Sequence, residues 1–443
     1  MVFEKLFKLK ENKTNVRTEL LAGIVTFMTM AYILIVNPNI LSEAGMDWGA
    51  VFTATALSAA IACIAMAFFA NYPVALASGM GLNAFFAGMA IKHGSWQIML
   101  TAIFLEGIIF ILLSLVNFRE KIVESIPDNL KHAVTVGIGL FIAFIGFKNA
   151  GVITPNEGTM IGLGDMKSVT VILSLVGLLL TIFMVHKGIK GALLWGILGT
   201  YAVGIVLQLT GVYVVDPAAG MYDLIPDGVV SLPPSLKSTF LKFDFKGAIE
   251  LGFEFIVILF AFLFVDIFDT IGTLIGVATK ADMLDENGKL PRVKGALLAD
   301  AVGTVAGSGL GTSTVTSYIE SASGVAAGGR TGLTALTTGL LFIVALVFSP
   351  IFMAIPSFAT APILVIVGLF MMTSVTKIDF EDYTEAMPAF LTLIIMPLAG
   401  SIADGIVFGM LSWFLLKLFS GKVKKIPVTM YVLVVIFCVY LFV

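Results

Sequence analysis

Two aspartates, Asp266 and Asp269, stand three residues apart inside the apolar run FLFVDIFDTIGT (262–273). Side chains at that spacing share one face of a helix. Both carboxylates can therefore face one polar cavity while Phe264, Ile267 and Ile271 face elsewhere. An ionised aspartate at the centre of an apolar span costs roughly 2.5–3.5 kcal/mol on an insertion scale. The pair points to a site that accepts hydrogen bonds or carries protons; the competing role is to satisfy backbone donors or a basic partner. Asp266 is the favoured substrate contact, and Asp269, which precedes TIGTLIG, equally suits a supporting role.

A second stretch, GSGLGTSTVTSYIESASGVAAGG (307–329), is rich in Gly, Ser and Thr, and Glu320 is its only acid. It suits a broken helix whose backbone lines a cavity, the setting in which a bilayer tolerates irregular backbone. The alternative is a small-residue helix contact with Glu320 bonded to nearby hydroxyls. A third stretch, NYPVALASGMGLNAFFAG (71–88), carries Pro73, Gly79 and Gly81, which weaken a continuous helix. Its Asn83 offers both a donor and an acceptor. Phe85 and Phe86 could stack on a flat ring or serve as core contacts. Glu106, Glu254 and Asp300 are lesser acidic candidates, and Thr26, Thr29 and Tyr32 could reach a central site from the first span.

This set contains acids and an amide but no arginine or lysine. It fits a neutral ring bearing N–H donors, or a cation, better than an anion. A carboxylate that takes up a proton during a transport cycle also gives a route to proton coupling. Metal and nucleotide chemistry find no support. His93, His132 and His186 are scattered, Cys63 and Cys438 sit in separate apolar runs, and there is no Gly-x-x-x-x-Gly-Lys-Ser/Thr loop. The expectation is a transporter with no catalytic residues, no metal and no cofactor beyond a coupling ion, H+ or alternatively Na+.

The elements that must position these residues are membrane helices. The chain has 443 residues, 58% hydrophobic and 12% charged, with a mean hydropathy of +1.04. Soluble domains are about 25% charged, and apolar runs long enough to span a bilayer recur from end to end. The runs fall near 19–37, 50–70, 73–91, 96–117, 129–150, 168–186 and 190–210, then 249–278, 292–309, 313–328, 331–350, 358–376, 384–419 and 426–443. The run 384–419 is interrupted near PLAGSIADG and is either a broken helix or a hairpin. The basic N-terminus is expected in the cytoplasm and is not a secretory signal. Arg119, Lys121, Lys131, Lys187, Lys190, Lys280, Arg292 and Lys294 fall on the same side, whereas Lys422, Lys424 and Lys425 fit less cleanly.

The halves resemble each other. EGIIFILLSL (106–115) matches TGLLFIVALV (338–347), SIP (125–127) matches AIP (354–356), and VGIGLFIAF (136–144) matches VIVGLFMMT (365–373), at offsets of 232, 229 and 229 residues. With about seven spans per half, the second copy is inverted, a signature of secondary transporters whose site lies at the repeat interface.

At these motifs the chain resembles the adenine–guanine–hypoxanthine permease (AzgA-like) branch of the nucleobase–cation symporter 2 family. SGMGLNAFFA, FVDIFDTIGTLIG and TSTVTSYIESASGVAAGGRTGL carry the likeness, which runs from RTELLAGIVTFMTMAYI (17–33) onward. The resemblance implies an all-α polytopic fold of the uracil-permease type, about 14 spans in a 7+7 inverted repeat, with short extended segments in spans 3 and 10. The first repeat would cover 1–210, a linker 211–247 and the second repeat 248–443. A core domain would comprise 18–117 and 248–350, and a gate domain 129–210 and 358–443. Asp266, Glu320 and Asn83 would be the substrate determinants, with Gly81, Asp269, Thr270 and Ser321 shaping or supporting the site. Glu320 and Asp266 would both be proton-coupling candidates. The implied activity is proton-coupled uptake of a purine nucleobase, hypoxanthine or guanine first and adenine as an alternative, across the cytoplasmic membrane by a possible homodimer, with no nucleic-acid partner. The rival readings are an anion transporter of the same fold, an intramembrane acid-dyad hydrolase using Asp266 and Glu320, and a channel.

Overall fold

The structure, a computed structural model, describes residues 2–115, 127–216, 221–281, 283 and 290–442. Arg119, Lys121, Ser125 and Ile126, used above for topology and for the repeat, lie outside the described residues. Helices α1 (Val2–Leu6), α2 (Val16–Met30), α3 (Ile33–Ser42) and α4 (Trp48–Phe69) come first. Strand β1 (Leu76–Ser78) then leads into α5 (Met80–His93), followed by α6 (Trp96–Leu115) and α7 (Asp128–Asn149). Strands β2 (Ile153–Asn156) and β3 (Met160–Leu163) precede α8 (Val169–His186), α9 (Ala192–Leu209) and α10 (Phe245–Glu250). The second half holds α11 (Phe253–Lys280), α12 (Val293–Leu310), strand β4 (Val315–Ser317), α13 (Ser321–Ala326), α14 (Gly332–Ala345) and α15 (Ser349–Met353). It ends with α16 (Ser357–Met372), α17 (Tyr383–Ala399), α18 (Ile402–Phe419) and α19 (Val428–Phe442).

The protein is a multi-pass, mostly helical membrane protein. Among the described residues, ten helical segments are long and apolar enough to cross a bilayer. The expected fourteen spans include elements that do not reach that measure alone. Two are strands continued by half-helices, and α17 has only 17 residues. The run 384–419 is a hairpin: Gly400 turns the chain at φ +64°, and the Ser401 hydroxyl caps α18 through the Asp404 N–H. Helix α19 follows as a further apolar helix. The β2–β3 hairpin, which lies in a stretch assigned no structure from the sequence, is closed by Asn156, whose Oδ1 accepts from the N–H groups of Gly158 and Thr159.

Side-chain caps start several helices: Asn15 for α2, Asp47 for α4, Thr331 for α14 and Asp382 for α17. Each satisfies a donor that helix geometry leaves open. Helices α4, α12 and α14 pack together with α2 and α6, while α7, α16, α17, α8 and α9 form another packed set. Helices α7 and α16, which carry the matched VGIGLFIAF and VIVGLFMMT segments, cross at their equivalent glycines. A Cβ at Gly139 would lie 2.8 Å from the Gly368 carbonyl oxygen, so only glycine permits this approach. Strands β1 and β4, from corresponding elements of the two halves, pair antiparallel, as an inverted repeat requires.

Candidate functional site

The strand pair organises the site. Leu76 faces Ser317, Ala77 faces Thr316 and Ser78 faces Val315, and all six residues are buried. The ladder extends through Gly79 N–H to Thr314 C=O and Tyr318 N–H to Ala75 C=O, both at 3.0 Å. A buried strand still has outer edges, and unpaired backbone groups within a membrane each cost several kcal/mol. Side chains close those edges here. Ala75 N–H donates to Ser321 Oγ at 3.0 Å, and Leu76 N–H donates to Cys63 Sγ at 3.2 Å. Val315 N–H donates to Thr304 Oγ1 at 3.2 Å, and that hydroxyl donates to Val315 C=O at 3.1 Å. The Tyr318 hydroxyl donates to Ser78 C=O. Asn37 of α3 donates to Thr312, which in turn meets the Ser78 hydroxyl.

From this frame α5 and α13 run outward, and the candidate residues sit at their starts. Asn83, fully buried in the first turns of α5, accepts at Oδ1 from the Ser313 hydroxyl. Glu320, immediately before α13, accepts from the Tyr32 hydroxyl at 2.6 Å, and Thr29 reaches its carbonyl at 3.5 Å. Asp269 accepts from Thr316 of β4 at 3.2 Å. Glu106 accepts from Thr314 at 3.2 Å. Asn83, Glu320, Asp269 and Glu106 are thus brought to one strand pair from four different helical elements.

Asp266 lies one turn earlier on α11 and is fully buried. Its link runs through Thr270, whose hydroxyl lies 3.4 Å from Asp266 Oδ1 and 2.7 Å from Asp300 Oδ1. Asp300 thereby joins Asp266 in one α11–α12 network, while Asp269 bonds to β4. Gly81 supports the site by close approach: a Cβ there would lie 2.6 Å from Ile138 Cγ2 of α7. Thr26 bonds within its own helix, to Ala22 C=O. Phe85 packs on Phe262 with ring centroids 4.7 Å apart, and Phe86 is buried in the core. Glu254 pairs with Lys92 at 3.0 Å at the start of α11.

A family model of xanthine/uracil type, described as "Permease family", matches residues 17–408. The chain belongs to this permease family. It is 43% identical to the guanine/hypoxanthine permease PbuG of Bacillus subtilis, with 98% of each chain covered. It is 41% identical to the adenine permease AdeP of Escherichia coli, covering 98% of this chain and 95% of that one. Among solved structures, the transmembrane domain of a cyanobacterium bicarbonate transporter, BicA, superposes with a TM-score of 0.63 at 15% identity, over 88% of this chain and 97% of that one. That likeness shows the fold, which is of the uracil-permease type.

The permease is therefore a membrane transporter of the nucleobase–cation symporter 2 family and not an enzyme. Asp266 is linked through Thr270 to Asp300, and Glu320 is held by Tyr32. Lys92 lies in the last turn of α5 and pairs with Glu254, and Arg330 lies just beyond α13. Its guanidinium donates to the carbonyls of Val325 and Gly329 and closes the end of α13. Sequence reasoning assigned no role to Cys63, Ser313 or Thr316. Their signal was a buried hydroxyl or thiol in a small-residue run, which many helix contacts share.

Proposed function

We propose that this permease carries purine nucleobases, hypoxanthine and guanine in first place, into the cell together with a proton. The observation that supports this most is the pairing of β1 with β4, which gathers Asn83, Glu320 and Asp269 with no arginine or lysine bonded to that group among the described residues. Carboxylates accept the N–H groups of a purine, and an amide fits its acceptor edge. One relative is an adenine permease and the other a guanine/hypoxanthine permease, which agrees with a purine ring.

In this reading Glu320 and Asp266 accept from the base, Asn83 contacts its ring, and Asp269 assists from α11 through its bond to Thr316. Gly81, Thr270 and Ser321 keep the frame in place. Either Glu320 or Asp266 takes the coupling proton. The set that holds the strand pair (18–117 and 248–350) moves as a core against a gate (129–210 and 358–443), exposing the base to one side and then the other. The protein sits in the cytoplasmic membrane with its N-terminus inside and works as a homodimer. It needs no cofactor beyond its coupling ion.

The test is uptake of radiolabelled hypoxanthine in cells lacking their own purine permeases, with unlabelled purines and uracil as competitors. Uptake that a protonophore abolishes, and that purines but not uracil block, supports the reading. Uptake that persists without a proton gradient and follows sodium would replace H+ by Na+. Block by uracil would remove the purine assignment.

A further inference from the structure

The two ends of the Asn83 amide are in different states. Its Oδ1 accepts from the Ser313 hydroxyl. Its Nδ2 is buried and has no hydrogen-bond partner among the described residues. A buried donor without a partner costs about 1–3 kcal/mol, and such groups in a native site call for an explanation. An incoming acceptor is the simplest one.

The amide orientation has a physical basis. Ser313 precedes Thr314, whose hydroxyl donates to Glu106. The same strand carries Thr316, bonded to Asp269, and leads to Glu320. Three carboxylates around one strand pair favour an amide that presents its NH2 group over one that presents its oxygen, because the NH2 end carries the positive partial charge. In this orientation the Ser313 hydroxyl donates its single hydrogen to Oδ1.

The consequence concerns which purine fits. An asparagine pairs with the adenine edge through both of its ends, accepting from N6 and donating to N7, whereas a 6-oxo purine presents two acceptors, O6 and N7. With Oδ1 held by Ser313, Asn83 offers the base a donor only. We propose that Ser313 is a specificity-determining positioning residue. It holds the Asn83 carbonyl, turns the NH2 group to the base, and so selects 6-oxo purines over adenine. This inference rests on the purine reading above and adds to it the class of purine and the residue that sets it.

The experiment measures kcat/KM for radiolabelled hypoxanthine and for radiolabelled adenine in cells without other purine permeases, each value normalised to protein in the membrane. Wild type, Ser313→Ala and Ser313→Thr are compared. Wild type is expected to favour hypoxanthine. Ser313→Ala releases the amide, and the adenine-to-hypoxanthine ratio rises roughly tenfold, the worth of one neutral hydrogen bond. Ser313→Thr keeps the hydroxyl and the wild-type ratio. If Ser313→Ala does not reach the membrane, Ser313→Cys, a weaker donor, is expected to move the ratio in the same direction. A wild type that favours adenine overturns the inference. So does a Ser313 variant that loses both substrates in equal proportion, which would mark the residue as structural only. A wild type that carries neither base overturns the purine reading itself, and this inference with it.

Discussion

Replacing Tyr32 by phenylalanine removes one oxygen and leaves the ring in place, and the structure says what that oxygen does. Tyr32 is fully buried at the junction of α2 and α3, and its hydroxyl donates to Glu320 Oε1 at 2.6 Å. If Glu320 is the ionised acceptor of the base, this bond is charge-assisted. Such bonds contribute about 1.5–3 kcal/mol, and about 1.4 kcal/mol corresponds to a factor of ten. The ring still fills its site, so the loss falls on the orientation of the Glu320 carboxylate more than on packing. If Glu320 accepts an N–H of the base, Tyr32→Phe raises KM for hypoxanthine roughly ten- to a hundredfold, with membrane abundance unchanged. Initial uptake rates over a range of hypoxanthine concentrations, with the protein quantified in isolated membranes, give both values. A wild-type KM in Tyr32→Phe would refute the reasoning, because the residue that holds Glu320 would then be irrelevant to the base.

Other substitutions probe the frame. Gly139→Ala places a Cβ 2.7 Å from Met371 Cβ and 2.8 Å from the Gly368 carbonyl oxygen. Overpacking of this kind costs about 1–3 kcal/mol, read as a lower melting temperature in detergent. Thr270→Val removes the hydroxyl between Asp266 and Asp300, and its cost of about 1–3 kcal/mol appears in the same melting assay. Asp382, at the start of α17, is held below the usual carboxylate range by Lys422 first and then by the Thr384 hydroxyl and N–H. A lowered folded-state value gives stability that is present above the ordinary carboxylate range and lost as pH falls toward the lowered value. Asp382→Asn therefore melts below wild type at neutral pH, and the gap closes as the pH drops below about 4.

The sequence showed where the helices would break and why. Pro73 and the glycines of 71–88, and the small polar run 307–329, oppose continuous helices, and both became strand-plus-half-helix elements. The inverted repeat was legible because matched segments carry matched packing, as Gly139 and Gly368 show. What escaped is what depends on pairing across the chain. No local pattern tells Ala77 to meet Thr316, and the closing of strand edges by Cys63, Thr304 and Ser321 follows only from that meeting. The spacing of Asp266 and Asp269 placed both on one helix face but could not say which neighbour each would find. Small shifts in direction send one to Thr270 and the other to Thr316. The β2–β3 hairpin has no strong alternation and rests on the Asn156 turn. The 384–419 run was ambiguous because a left-handed Gly400 and a broken helix leave the same composition.

The base is proposed to bind beside the antiparallel pair β1–β4, against Asn83 and Glu320. The most direct test is an experimental structure of the purified protein with hypoxanthine bound. The account predicts density for a flat bicyclic ring between the starts of α5 and α13, within hydrogen-bond reach of Glu320 and Asn83. Density placed instead in the open cavity lined by Asn39, Trp48, Lys148 and Tyr213, with the strand-pair residues unengaged, would contradict it.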